Sequence, residues 1–180
     1  MSKTKIKLAQ KIFNVSHVTG EFKLRSGIIS NEYFDKYQFE SRPELLSEIT
    51  THFKTIIPND FDILAGLEVG GIPIATALGL QINKPIVFVR KEAKKYGTAK
   101  LVEGVEINNS KVLIVEDVVT SGGQIILSVE DLRKCGAKIE KAICVIDREQ
   151  GGKEALEKNG IELISLFSMS ELKNATQKTQ

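Results

Sequence analysis

Tryptophan is absent from this chain of 180 residues, which holds only two cysteines, two histidines and four prolines. Two thiols, Cys135 and Cys144, cannot build a disulfide framework, and with His17 and His52 as the only imidazoles their spacing fits no common zinc pattern. Both cysteines are therefore expected to be plain core or near-core thiols. Charge of one sign is lacking too. The 25 Lys plus Arg set against 23 Asp plus Glu leave +2, which gives no general attraction to nucleic acid or an anionic membrane, so any basic site has to be local. No apolar run approaches the roughly 20 residues that a spanning helix needs. The first ten residues also lack the apolar core of a secretory signal, so a cytoplasmic protein without membrane or nucleic-acid partners is expected. What is present is typical of a globular chain, 42% apolar and 27% charged residues in a length that suits one domain.

Between residues 3 and 15, Ile6, Leu8, Ala9, Ile12 and Phe13 recur close to helical spacing, which predicts an amphipathic helix with a solvated, lysine-rich face. Residues 21–39 mix aromatics with alternating polar residues around Ser26-Gly27, the pattern of short strands joined by a turn. Pro43 suits the first turn of a helix that Leu45, Leu46, Ile49 and Phe53 continue, ending before Pro58. A single rhythm follows. Apolar strands at residues 62–66, 85–89, 111–115 and 141–146 alternate with helices at 72–80, 124–135 and 153–159. Such alternation describes a parallel sheet covered on both faces, so the predicted class is α/β, doubly wound. The polar tail at residues 174–180 has no periodicity and is expected to fray.

In a sheet of this kind ligands bind beyond the C-terminal ends of the strands. The most informative segment there is VLIVEDVVTSGGQI, residues 112–125, an apolar strand leading into Glu116 and Asp117 and then Thr120, Ser121, Gly122 and Gly123 at a helix start. Glycines let backbone N–H groups curl around an anion, and the helix N-terminus adds partial positive charge, so this loop reads as a phosphate cradle. There is no Gly-Lys-Ser/Thr and no Gly-x-Gly-x-x-Gly, which excludes a P-loop and a dinucleotide fingerprint. Two carboxylates beside the cradle would repel a second phosphate yet accept hydrogen bonds from sugar hydroxyls, as a ribose 5-phosphate requires. A second loop places Gly70-Gly71 before a helix, where the backbone can approach another phosphate closely or simply pack tightly on the sheet. The third segment, residues 90–97, carries four cations in six residues, Arg90, Lys91, Lys94 and Lys95, directly after a strand. Positive charge there suits the neutralisation of pyrophosphate, and with Gly97 and Gly104 as hinges the segment reads as a cationic lid.

The acid pair and its Thr/Ser/Gly-rich loop resemble the signature of the type I phosphoribosyltransferases, which act on phosphoribosyl pyrophosphate (PRPP). GLEVGGIPIATAL and RKEAKKYGTAKLVEG are similar to the pyrophosphate and catalytic loops of the orotate-specific branch, FKLRSG with Tyr33-Phe34-Asp35 to its N-terminal hood, and Asp147-Arg148-Glu149 with Gly151-Gly152 to its DRxxGG segment. The resemblance covers about residues 22–172. It implies one phosphoribosyltransferase domain over residues 1–180, with helix and hood in 1–40 and the core sheet with its PRPP loops in 60–150. Glu116 and Asp117 would bind the ribose hydroxyls, Thr120, Ser121, Gly122, Gly123 and Gln124 would hold the 5-phosphate, and Val118 and Val119 between them would also belong to the PRPP site. Gly70, Gly71, Arg90, Lys91, Lys94 and Tyr96 would take the pyrophosphate. Arg25, Tyr33, Phe34, Thr120 and Arg148 would receive orotate, with Lys94, Arg90 and Asp117 closest to the chemical step. Tyr96 stands where many relatives have His, and Gly70 where many have Lys.

What the resemblance further implies is transfer of the phosphoribosyl group to N1 of orotate, giving orotidine 5-monophosphate and pyrophosphate in pyrimidine biosynthesis. Mg²⁺ would arrive with PRPP and water and need no dedicated protein cage, and the enzyme would be a homodimer whose lid serves the partner's site. Two alternatives stay open: a purine-specific phosphoribosyltransferase, which would not need Arg25 and Arg148, and a non-catalytic PRPP-sensing regulator. The regulator would carry a DNA-binding appendage and a degraded lid, whereas this lid keeps its Arg and Lys residues.

Overall fold

Residues 1–23, 27–92 and 101–177 are described by a computed structural model of the chain. In order, these residues form α1 (Lys3–Ser16), β1 (His17–Lys23), β2 (Ile29–Phe34), α2 (Tyr37–Glu40), α3 (Pro43–Phe53), β3 (Ile63–Leu67), α4 (Gly71–Ile82) and β4 (Ile86–Val89). Then come β5 (Val102–Gly104), β6 (Val112–Val119), α5 (Gly123–Lys134), β7 (Lys141–Asp147), α6 (Gly152–Lys158), β8 (Glu162–Ser168) and α7 (Met169–Gln177).

Local chemistry accounts for the element ends. The Ser2 hydroxyl caps α1 by accepting from Lys5 N–H at 3.2 Å, and Pro43 opens α3, where its missing N–H costs nothing. α4 closes on Asn83 in the left-handed region, φ 54°, which the short amide side chain tolerates. β1 and β2 pair as an antiparallel hairpin, the hood expected around Ser26-Gly27.

The central sheet has the strand order β5-β4-β3-β6-β7-β8, with all strands parallel except the short antiparallel edge strand β5. α1, α3, α4 and α7 cover one face through Leu8, Ile12, Ile49, Phe53, Ile74, Leu78 and Leu172, while α5 and α6 cover the other through Ile125, Val129, Leu132 and Leu156. The doubly wound arrangement read from the sequence is present. From β3 the chain winds one way to β4, and from β6 the other way to β7 and β8, so the switch point lies between β3 and β6.

Several expectations need correction. β6 does not stop at Val115. It keeps its pairing with β7 as far as Val119 opposite Asp147, so Glu116 and Asp117 lie within a strand rather than in a loop. β5 occupies part of the stretch expected to be hinge, because Gly104, at φ 125°, lets its backbone lie against β4. The tail does not fray from residue 174. α7 continues to Gln177, Ala175 is buried, and Gln10 Nε2 donates to the Ala175 carbonyl at 2.8 Å. Of the thiols, Cys144 is buried on β7, but Cys135 is exposed at the end of α5, where the chain turns towards solvent. Among the described residues no helix is long and apolar enough to cross a membrane.

Candidate active site

The C-terminal ends of the parallel strands bring four connections to one edge of the sheet, and the acid pair lies among them. Glu116 is 9% exposed and Asp117 1%, on opposite faces of β6 as strand geometry dictates. Glu116 Oε1 accepts from the Asp117 backbone N–H at 3.0 Å, and Asp117 Oδ1 accepts from Val118 N–H.

Beyond Val119, the side chains of Thr120 and Ser121 are exposed, and Gly122 adopts φ 76° to start α5. That helix has no side-chain cap and no acid in its first turn, so its leading amides, at Gly123 and Gln124, are open to an anion. The cradle is buttressed from β7. A Cβ on Gly152 would lie 2.6 Å from the Thr120 carbonyl oxygen, so the two glycine loops meet at a distance only glycine permits. Arg148 N–H donates to the Val119 carbonyl at 2.9 Å, which ties the backbone of Arg148, whose side chain is exposed, to the end of β6 next to the cradle. Behind it, the Glu149 carboxylate accepts from the Ser170 hydroxyl at 2.5 Å and from its N–H at 2.9 Å. Those two bonds hold the Glu149 carboxyl below its usual range.

Across the switch point, α4 likewise begins without a side-chain cap or an acid in its first turn. Gly71 has no room for a side chain because its Cβ would strike the Val115 carbonyl oxygen, and a Cβ on Gly70 would strike the Asp117 carboxylate. The second glycine loop therefore lies directly against the acid pair.

Sequence reading missed two members of this cluster. Lys36, just before α2, forms an ion pair with Asp117 Oδ2, and Glu40, one turn later, is 5% exposed. Glu40 Oε1 lies 2.8 Å from the point a Gly70 Cβ would occupy, the same point that the Asp117 carboxylate crowds. Burial, reinforced by the hydrogen bond and charge of Asp117, pushes the Glu40 carboxyl up to about 8. Burial and the Asp117 charge likewise push Glu116 well above the carboxylate range. For Lys36, burial alone would lower the ammonium, but Asp117, with Glu116 and Glu40 behind it, outweighs burial and raises it. The only sequence signal was the i, i+4 spacing of Lys36 and Glu40 next to the hood.

The other expected positions divide. Arg90 is half-buried at the end of β4, its N–H donating to the Leu101 carbonyl at 2.9 Å, and Lys91 next to it is exposed. Tyr33 is exposed on β2 and tilted against Phe22 at 5.5 Å. Phe34, its neighbour on the strand, takes the opposite face and is half-buried against the core, its ring 6.5 Å from that of Phe13. Arg25, Lys94 and Tyr96 lie outside the described residues.

A doubly wound sheet with an acid pair and two open helix starts at its switch point defines a class. The family profile of the phosphoribosyl transferase domain matches residues 38–170, and the chain belongs to that family. It is 41% identical over 170 residues to the orotate phosphoribosyltransferase of a Nocardioides species, an alignment covering 94% of this chain and 95% of the relative. It is 44% identical over 153 residues to that of Methanocella arvoryzae, covering 85% and 87%. The solved orotate phosphoribosyltransferase of Mycobacterium tuberculosis matches with a TM-score of 0.82 at 28% identity, covering 94% of this chain and 98% of that one. Within the family, this chain belongs with the orotate phosphoribosyltransferases and is a pentosyltransferase.

Proposed function

We propose that this site transfers the phosphoribosyl group of PRPP to N1 of orotate, forming orotidine 5-monophosphate and pyrophosphate in pyrimidine biosynthesis. The observation that carries the reading is the uncapped, acid-free start of α5 placed directly beyond the buried Glu116-Asp117 pair. The amides of residues 121–124 and the Thr120 and Ser121 hydroxyls take the 5-phosphate. Asp117 and Glu116 accept from the ribose hydroxyls. The start of α4 at Gly70-Gly71, with Arg90, Lys91, Lys94 and Tyr96, receives the diphosphate. Arg148 and Arg25 bind orotate through its carbonyls and carboxylate, which guanidinium groups match in geometry and charge, and Tyr33 covers the ring.

As the C1–O bond to diphosphate lengthens, positive charge develops on the ribose and negative charge on the leaving group. Positioned cations and helix amides stabilise the leaving group without reorganising, so no protein nucleophile is required. Asp117 and Glu116 already accept from Lys36, Val118 N–H and Asp117 N–H, which suits a metal that arrives with its own ligands. Mg²⁺ arriving with PRPP and water would supply charge neutralisation at the leaving group when bound. The enzyme acts in the cytoplasm as a homodimer in which the cationic segment of one subunit completes its partner's site. The support for the dimer is the likeness of residues 90–104 to the family's catalytic loop.

The deciding experiment offers orotate, uracil, hypoxanthine and adenine as acceptors with PRPP and Mg²⁺ and follows nucleotide formation by absorbance. Turnover with orotate at least about a hundredfold above the others is expected, because the cationic side chains of the acceptor site would go unpaired with an uncarboxylated base. Preference for a purine would overturn the assignment.

A further inference from the structure

The Lys36, Glu40 and Asp117 cluster is not explained by substrate contacts alone. Among the described residues, three carboxyl groups, Glu40, Glu116 and Asp117, crowd the C-terminal half of β6 around one ammonium, that of Lys36. With all of them ionised, this buried zone would carry two uncompensated negative charges, which a low-dielectric site does not sustain. Glu40, like Glu116, is placed to stay protonated. Among the described residues the Glu40 Oε1 is buried with no donor to accept from, and it faces the Asp117 carboxylate beside Gly70, where a proton held between the two carboxyls would relieve their repulsion.

We propose that Glu40 is a positioning residue for Asp117: as a buried carboxylic acid it donates a hydrogen bond to the Asp117 carboxylate. Together with Lys36 and Val118 N–H, it holds that carboxylate aligned for the ribose hydroxyls before PRPP arrives. A carboxylate has about four lone-pair sites, so three protein donors still leave one for the sugar. Gly70 is part of the device, because any side chain there would occupy the space in which the two carboxyls meet. The charged groups facing Glu40 are Asp117 from β6 and Lys36 and Asp35 from its own segment. The helices packed against that segment, α1 and α3, contribute apolar side chains such as Ile12 and Leu45 to the core cluster that holds Phe39. Ionisation of Glu40 near pH 8 would turn its hydrogen bond to Asp117 into a repulsion.

The inference rests on the proposed ribose role of Asp117, so the test keeps the two separable. Wild type, Glu40→Gln and Glu40→Ala are compared for kcat/KM towards PRPP between pH 6.5 and 9.5, and for PRPP affinity by calorimetry, with thermal melting as a check on folding. The amide of Glu40→Gln can still donate to Asp117 but cannot ionise. It is expected to stay within about threefold of wild type at pH 7 and to lose the decline that wild type shows near pH 8. Glu40→Ala is expected to lose roughly tenfold in PRPP affinity and kcat/KM, with kcat at saturation changed less. If Glu40→Ala fails to fold, the pH profile of Glu40→Gln alone decides. An alkaline decline that persists unchanged in Glu40→Gln, or PRPP affinity in folded Glu40→Ala equal to wild type, would overturn the proposal. Wild type that makes no orotidine 5-monophosphate would instead overturn the functional reading, while the calorimetric comparison would still report on Glu40.

Discussion

At the residue scale, the site was legible wherever neighbours in sequence are neighbours in space. Glu116 and Asp117 next to Thr120-Ser121-Gly122-Gly123 could be read as one candidate site because one strand end and one helix start carry all of them. Lys36 and Glu40 were not legible, since Lys36 meets Asp117 across 81 residues and neither motif implies the contact. Tyr33 and Phe34, adjacent on a strand, lie on opposite faces, which a strand reading of residues 29–34 implies. Gly70 is required by space rather than by backbone angle. Gly70→Ala is expected to displace the Asp117 carboxylate and raise the KM for PRPP roughly tenfold, with the KM for orotate changed less, in steady-state kinetics. Arg148→Ala should do the reverse, raising the KM for orotate by roughly ten- to a hundredfold through loss of a charge-assisted contact while leaving that for PRPP nearly unchanged. Equal losses for both substrates would remove Arg148 from the acceptor site.

At the element scale, apolar runs located β3, β4, β6 and β7 to within a few residues, because strands buried on both faces have to be almost continuously apolar. β5 escaped notice, since a three-residue edge strand, Val-Glu-Gly, has too little pattern to read. β8 and α7 escaped because Ser165, Ser168 and Ser170 interrupt the apolar run, and only packing on α1 and β7 identifies them. This C-terminal pair has a functional consequence, since Ser170 at the start of α7 holds Glu149 and thereby the loop that presents Arg148. Ser170→Ala removes the hydroxyl donor and leaves the backbone one. Its expected effect is a rise of about threefold in the KM for orotate with less than about 1 kcal/mol lost in denaturant unfolding. An unchanged KM would show that the loop is held without α7.

At the scale of the whole molecule, the doubly wound class followed from strand and helix alternation, while the switch point between β3 and β6 required the strand order. Placing two uncapped helix starts and three buried carboxyls at that point makes stability depend on pH. The folded chain keeps protons on Glu40 and Glu116 that the unfolded chain releases above about pH 4.5. Stability is therefore lost as pH rises from there to about 8, the value to which Glu40 is raised, where its contribution levels off. The lowered carboxyls Glu32 and Glu149 act below pH 4.5, outside this window. Calorimetric melting of the unliganded protein should fall on the order of 5 °C between pH 5 and pH 8.5, and Glu40→Gln should flatten part of that slope. A melting temperature that rises over the same interval would mean that the buried carboxyls are ionised in the folded chain.

The claim on which the rest depends is that the α5 start and the β6 acids together hold one sugar phosphate. A crystal structure of the enzyme with PRPP and Mg²⁺ tests this most directly. The 5-phosphate is expected on the amides of residues 121–124 and the ribose hydroxyls within hydrogen-bond distance of Glu116 and Asp117, with the diphosphate against Gly70-Gly71. A 5-phosphate bound elsewhere, with the Thr120 loop empty and no sugar hydroxyl on Asp117, would refute that claim.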